Sequence, residues 1–150
     1  MTDMSVRAVS DSELRQALLG TWRIVSCQAN VDGTVVNTFG DKPQGYLVYT
    51  PDSHVFVQIA DPDRRALFVA TRGRGGGPVL LETTEAGAGL GLICYSGMFE
   101  VQDGQAIHRT EFHVVPEHNG RVETRSVVLD GDRLILGTPW GAQLAWERLH

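Results

Sequence analysis

A chain of 150 residues, 42% of them hydrophobic, has the size of one domain, taken here as residues 1–150, and enough apolar material to fill a core. Its net charge of −5 and pI of about 5.4, with Lys and Arg forming no stripe, argue against nucleic acid and anionic membrane as partners. Met1-Thr2-Asp3-Met4-Ser5 has no apolar run, so neither a signal peptide nor a membrane span is expected and the cytoplasm is the simplest location. The two cysteines, Cys27 and Cys94, match no metal or redox spacing and are expected as reduced thiols.

Residues Ser10 to Leu19 read as a short helix. Ser10 or Ser12 can cap it, Glu13 favours its first turn, and Leu14, Ala17 and Leu18 form an apolar stripe. Gly20 then allows a sharp bend into a strand over Thr21–Ala29, whose first large residue is Trp22. Strict alternation puts Trp22, Ile24, Ser26 and Gln28 on one face and Arg23, Val25 and Cys27 on the other. Asp32-Gly33 turns the chain into a β-branched strand over Thr34–Thr38, which Asp41-Lys42-Pro43 breaks. Strands follow over Gly45–Thr50 and His54–Ala60, joined by Pro51-Asp52-Ser53. From Asp61 to Leu92 the pattern fails. Arg72-Gly73-Arg74-Gly75-Gly76-Gly77-Pro78 is too rich in glycine for an element, and 79–92 would make a poor helix; a lid over a barrel mouth is expected here.

Two hairpins come next. Ile93–Gln102 turns at Asp103-Gly104 into Gln105–Val114, and a two-residue turn pairs Phe99 with His108, Gly97 with Thr110 and Tyr95 with Phe112. These residues form the aromatic face, so they are expected to point inward. In the second hairpin, Arg121–Leu129 turns at Asp130-Gly131 into Asp132–Thr138. Val127 then faces Leu134, Arg125 faces Leu136 and Glu123 faces Thr138, with Arg125 inside. A last strand, Gln143–Leu149, carries Trp146 and Arg148.

The set Leu19-Gly20-Thr21-Trp22-Arg23-Ile24-Val25-Ser26, Gly45-Tyr46-Leu47-Val48-Tyr49-Thr50-Pro51-Asp52, Phe99-Glu100-Val101, His108, Arg125, Leu129-Asp130-Gly131-Asp132-Arg133-Leu134 and Trp146-Glu147-Arg148 resembles the bacterial lipocalin-like domain family, a branch of the calycin barrels. The resemblance implies an all-β fold: a small up-and-down antiparallel lipocalin-like β-barrel with a short N-terminal helix, a long glycine-rich loop and an apolar cavity. It implies that Arg148 stacks on Trp22 to close the base. Relatives act as cyclases in antibiotic pathways or only as binders, so it implies a small-molecule ligand and either activity. The extra glycines of heme-binding relatives are absent after Gly20-Thr21-Trp22, and no cofactor is expected. This chain departs from the family pattern at Ser53, where a glycine is expected, in the glycine-rich middle, and at His118, where an aromatic is usual.

A closed small barrel either fills with side chains or holds one ligand. The expected ligand-binding set is Tyr95, Phe99, Thr110, Phe112, Glu123, Val127 and Leu136, with Phe56 and Gln58 on one face of an earlier strand. His108, Arg125 and Tyr49 are the catalytic candidates. His108 titrates near neutrality, Arg125 can stabilise negative charge, and a tyrosine hydroxyl can donate a hydrogen bond. Equally, Arg125 can form a structural pair with Glu123, with His108 a satisfied neighbour. No metal site is expected: His108 and His113 are an odd number apart, which sends them to opposite faces, and no His-X-His or Cys-X-X-Cys occurs. The expectation is a cofactor-free barrel that binds a small hydrophobic molecule and promotes its cyclisation or isomerisation in secondary metabolism, or else a non-catalytic carrier. A homodimer is left open.

Overall fold

The computed structural model describes residues 9–63, 68–69, 79–80 and 91–150. Among these residues, helix α1 (Asp11–Leu18) leads into eleven strands: β1 (Gly20–Val31), β2 (Thr34–Asn37), β3 (Gln44–Tyr49), β4 (His54–Ala60), β5 (Phe68–Val69), β6 (Val79–Leu80), β7 (Leu92–Gln102), β8 (Gln105–His113), β9 (Val122–Asp130), β10 (Arg133–Gly137) and β11 (Ala142–Arg148). A 3₁₀ turn at Pro116–His118 separates β8 from β9. Among the described residues, the short β5 and β6 pair with each other. The expected lid otherwise lies outside the described residues.

Eight strands, β1, β3, β4, β7, β8, β9, β10 and β11, follow one another around an antiparallel barrel, and the last pairs with the first. Sheet closure leaves no open edge among them. The closing seam sets Trp22 opposite Arg148 and Ile24 opposite Trp146. β2 extends the same side of β1 as β3, beyond residue 27, and its four residues are exposed.

Helix α1 closes one end. Ser10 caps it: its side chain accepts from the Glu13 N–H while Glu13 reaches back to the Ser10 N–H, which satisfies two otherwise orphaned donors. Leu18 is fully buried, and Trp22 donates its indole N–H to the Leu18 carbonyl at 2.9 Å. The Arg148 guanidinium sits 4.1 Å from the centre of the Trp22 ring and donates to the carbonyls of Leu19 (2.9 Å) and Ala17. One cation therefore covers an aromatic face and caps the helix C-terminus together. At Gly20, φ is +125° and a Cβ would lie 3.3 Å from Arg148 Nη1, so the bend that delivers Trp22 to this contact needs glycine. The far side of the helix is pinned by Asp11, which accepts from the N–H groups of Asp103 and Gly104, and by Arg15, which donates to Pro51 O and Ser53 Oγ.

Two bulges alter the alternation read from the sequence. β1 slips between Ile24 and Ser26. Trp22 and Ile24 point inward, and beyond the slip it is Cys27, not Ser26, that is buried. Cys27 thus belongs to the inner face, a correction to strict alternation. β8 carries the second bulge. Thr110 lies opposite Gly97 as expected, but Phe112 lies opposite Ser96 and His113 opposite Tyr95, so Glu111 is the extra residue. Gly97 makes room for it: a Cβ there would stand 1.9 Å from the Arg109 carbonyl oxygen. In the second hairpin the turn is Gly131-Asp132 and Arg133 pairs with Asp130. Leu136 therefore faces Val127, two residues from the expected register. A slip of two preserves the faces, so Arg125, Val127, Leu134 and Leu136 still point inward.

Candidate functional site

The core fills the helix end of the barrel with Leu18, Trp22, Leu47, Tyr49, Phe99 and Leu134. Past this packed layer lies a cavity of about 430 Å³. Its apolar wall comes from Leu47, Val57, Ile59, Leu136, Leu144 and Trp146; its polar wall comes from Tyr95, His108, His113, Glu123 and Arg125. Exposed Trp140 and Arg121, with half-buried His118, also line it. A few polar groups set among apolar walls is the usual make-up of a small-molecule site.

His108 is 1% exposed and lies between two phenols. Its Nε2 is 2.7 Å from the Tyr49 hydroxyl, and its Nδ1 is 2.6 Å from the Tyr95 hydroxyl. The long hairpin β7–β8 supplies Tyr95 and His108, while β3 supplies Tyr49 from across the barrel. The Tyr49 ring packs on Phe99 at 4.6 Å. Burial, aided by the Arg125 charge, pushes the His108 imidazole down to about 3, so it is neutral at physiological pH. Burial also pushes Tyr95 up to about 12, against the pull of Arg125, and raises Tyr49 well above the usual phenol value.

Arg125 is 8% exposed. Its guanidinium lies 3.6 Å from the Glu123 carboxylate, donates to the Thr124 carbonyl at 3.1 Å, and sits 5.5 Å from the centre of the Trp140 ring. A cation this deep would be costly without such partners. Glu123 supplies one carboxylate oxygen at a long distance and Trp140 a π face, which leaves guanidinium N–H groups on a cavity-lining residue.

The bulge in β8 makes the largest change to the expected site. It turns Phe112 outward, where it is 69% exposed, and brings His113 in. Phe112 is therefore corrected from the cavity to the surface, and His113 no longer opposes His108. The His113 ring stacks parallel to Tyr95 (5.6 Å, 3°) and meets His118 edge-on at 4.6 Å. Its Nδ1 accepts from the Val115 N–H at 2.8 Å. Burial, with the neighbouring His118, lowers its pKa below the ordinary histidine value.

Phe56 and Gln58 are corrected too. β4 buries Val55, Val57 and Ile59, so its other face, with Phe56 47% exposed, looks outward. With Tyr46, Val48, Phe112 and Val114 they line a groove of about 610 Å³ on the outside of the sheet. This groove is larger than the inner cavity but has no buried charge. Phe99, Thr110 and Val127 point inward without lining the cavity; Thr110 and Phe99 are buried core, and Val127 packs on it. Tyr49 likewise reaches the site only through His108. The inward group thus keeps Tyr95, His108, Glu123, Arg125 and Leu136 on the cavity and adds His113, His118, Trp140 and Trp146. Gly97, opposite the bulge, was the one signal for His113. Among the described residues, no cluster of three or more His, Cys, Asp or Glu could hold a metal ion, and no helix is long and apolar enough to cross a membrane.

A family described as the lipocalin-like domain matches residues 19–149. Among solved structures, a lipocalin-like protein from Bacteroides uniformis shares 14% identity, with a TM-score of 0.48 over 88% of this chain and 98% of that one. An uncharacterized protein from Bacteroides eggerthii shares 10%, with a TM-score of 0.47 over 88% of this chain and 99% of that one. A redesigned β barrel shares 14%, with a TM-score of 0.41 over 91% and 95%. No curated protein matches the sequence.

Proposed function

The chain belongs to the lipocalin-like domain family, and from that premise we propose that it binds one small, largely apolar molecule inside the barrel, with the polar end of the ligand at Tyr95 and Arg125. The observation that carries this reading is the cavity of about 430 Å³, apolar over most of its wall and bearing a buried cation on one side. A filled barrel would have spent that volume on side chains, as it does at the helix end. Arg125 is the group that a ligand oxygen would meet, because its own ion pair is long and single.

The test is a titration with the neutral dye phenylnaphthylamine in wild type and in Leu136→Trp. The inner wall predicts saturable one-to-one binding that the added indole reduces at least about tenfold. Binding that survives Leu136→Trp unchanged sinks the reading.

A second reading is favoured by the chain of Tyr49, His108 and Tyr95 beside Arg125. On this reading the barrel promotes cyclisation or isomerisation of a secondary-metabolite intermediate without a cofactor. The cavity holds a reactive conformer, and the polar wall stabilises charge that develops on an oxygen. His108 itself is not free to act on the ligand, since both ring nitrogens face phenols. Its role is to position them. Arg125→Gln separates the readings: under catalysis it lowers kcat about 100-fold or more while phenylnaphthylamine binding persists; under the carrier reading no product forms with any ligand offered.

A further inference from the structure

The hydrogen bonds around His108 have a direction, and the burial of Tyr49 sets it. Tyr49 is 1% exposed and its hydroxyl has one partner among the described residues, His108 Nε2 at 2.7 Å. A buried hydroxyl hydrogen without an acceptor forfeits its full hydration. Tyr49 must therefore donate, and Nε2 must accept. A neutral imidazole then carries its hydrogen on Nδ1, which donates to the Tyr95 oxygen 2.6 Å away. The Tyr95 oxygen is already an acceptor in this arrangement, so its own hydrogen cannot return to His108. No other acceptor for it lies within bonding distance among the described residues, and Tyr95 lines the cavity. The reverse arrangement would satisfy Tyr95 through Nδ1 but strand the Tyr49 hydrogen in the closed core.

We infer that Tyr95 directs its hydroxyl hydrogen into the cavity and, with Arg125, selects ligands that bear a carbonyl or carboxylate oxygen over hydrocarbons and over ligands whose polar group is a donor alone. This deepens the cavity reading above and rests on it for the ligand. Tyr49 and His108 are positioning residues: their two hydrogen bonds fix which way Tyr95 points. Arg125 acts on the same spot, since its charge bears on the Tyr95 hydroxyl and it lines the same wall. Two donors on one wall suit an oxygen with two lone pairs. The apolar body of the ligand would then extend toward Ile59, Leu136 and Leu144.

Two measurements on the whole chain test this. Long-range nitrogen–proton correlation NMR of the ligand-free protein at neutral pH reads the His108 tautomer with no variant and no ligand. A hydrogen on Nδ1 is expected; a hydrogen on Nε2 overturns the inference whatever the cavity binds. The second uses prodan, a naphthalene dye with one ketone, beside phenylnaphthylamine, which has no acceptor oxygen. Prodan should bind with its ketone stretch shifted to lower frequency, and Tyr95→Phe should abolish the shift and weaken prodan about fivefold. Phenylnaphthylamine should change by less than about twofold. An unshifted ketone in wild type, or equal weakening of the two dyes, overturns the inference while the cavity reading stands. Failure of both dyes to bind overturns the cavity reading and the ligand class with it, and the tautomer still judges the hydrogen-bond chain.

Discussion

A proton can join His108 only by placing a charge between two phenols and beside Arg125, on a residue that is 1% exposed. The unfolded chain takes up that proton near pH 6.5, the folded chain only near 3. The folded pKa is depressed, so this contribution to stability is complete above about pH 6.5 and is lost as pH falls toward 3, with a slope of up to about 1.4 kcal/mol per pH unit. Urea unfolding between neutral and mildly acid pH should show this slope, and His108→Gln, which cannot titrate, should flatten it; an equal slope in both would assign the acid sensitivity to carboxylates instead. Ser53 shows a second residue-scale balance. Its φ is +70°, strained for any residue but glycine, and its Oγ accepts from Arg15 at 2.8 Å. Ser53→Gly relieves the strain as it removes the bond and should change stability by less than about 0.5 kcal/mol. Ser53→Ala keeps the strain and should cost about 1 kcal/mol or more by urea unfolding. The departure from glycine was visible in the sequence; the arginine that accommodates it was not, because Arg15 is 38 residues away on the helix.

At the scale of elements, the hairpins explain what alternation can and cannot foretell. Asp103 and Gly104 both have positive φ, the turn their sequence calls for, and the register near the turn follows, with Phe99 opposite His108. Alternation then carries Phe112 inward, and the aromatic ring made that phase look right. The backbone instead inserts Glu111, because opposite it Gly97 offers space that any side chain would close. Gly97→Ala should therefore cost about 3 kcal/mol or more in urea unfolding and disturb the stacking of His113 on Tyr95; a loss under 1 kcal/mol would mean that the bulge tolerates a Cβ. Cys27 lacks even such a signal: nothing in Val25-Ser26-Cys27 announces the slip in β1. The second hairpin was misread by two residues, yet Arg125 stayed inside, since faces repeat every second residue.

At the scale of the molecule, the described residues form a barrel packed at the helix end, with a cavity of about 430 Å³ past that layer. The closed end was legible as a set, because Gly20, Trp22, Trp146 and Arg148 meet at the seam where the first strand pairs with the last. Arg148→Gln removes the cation–π contact and two helix-cap bonds together, and should cost about 2–3 kcal/mol in urea unfolding with faster proteolysis of α1. The cavity was legible only in part: Arg125 and His108 followed from the faces of their strands, whereas Trp140 and His118 come from turns that no periodicity describes.

For the proposed apolar ligand, the alternative to the inner cavity among the described residues is the outer groove of Tyr46, Phe56 and Phe112. Mapping chemical shifts during titration with phenylnaphthylamine decides between them directly. Saturating changes are expected at Ile59, Leu136, Leu144 and the Trp146 indole. Changes confined to Tyr46, Phe56 and Phe112 would put the ligand outside the barrel and contradict binding in the cavity.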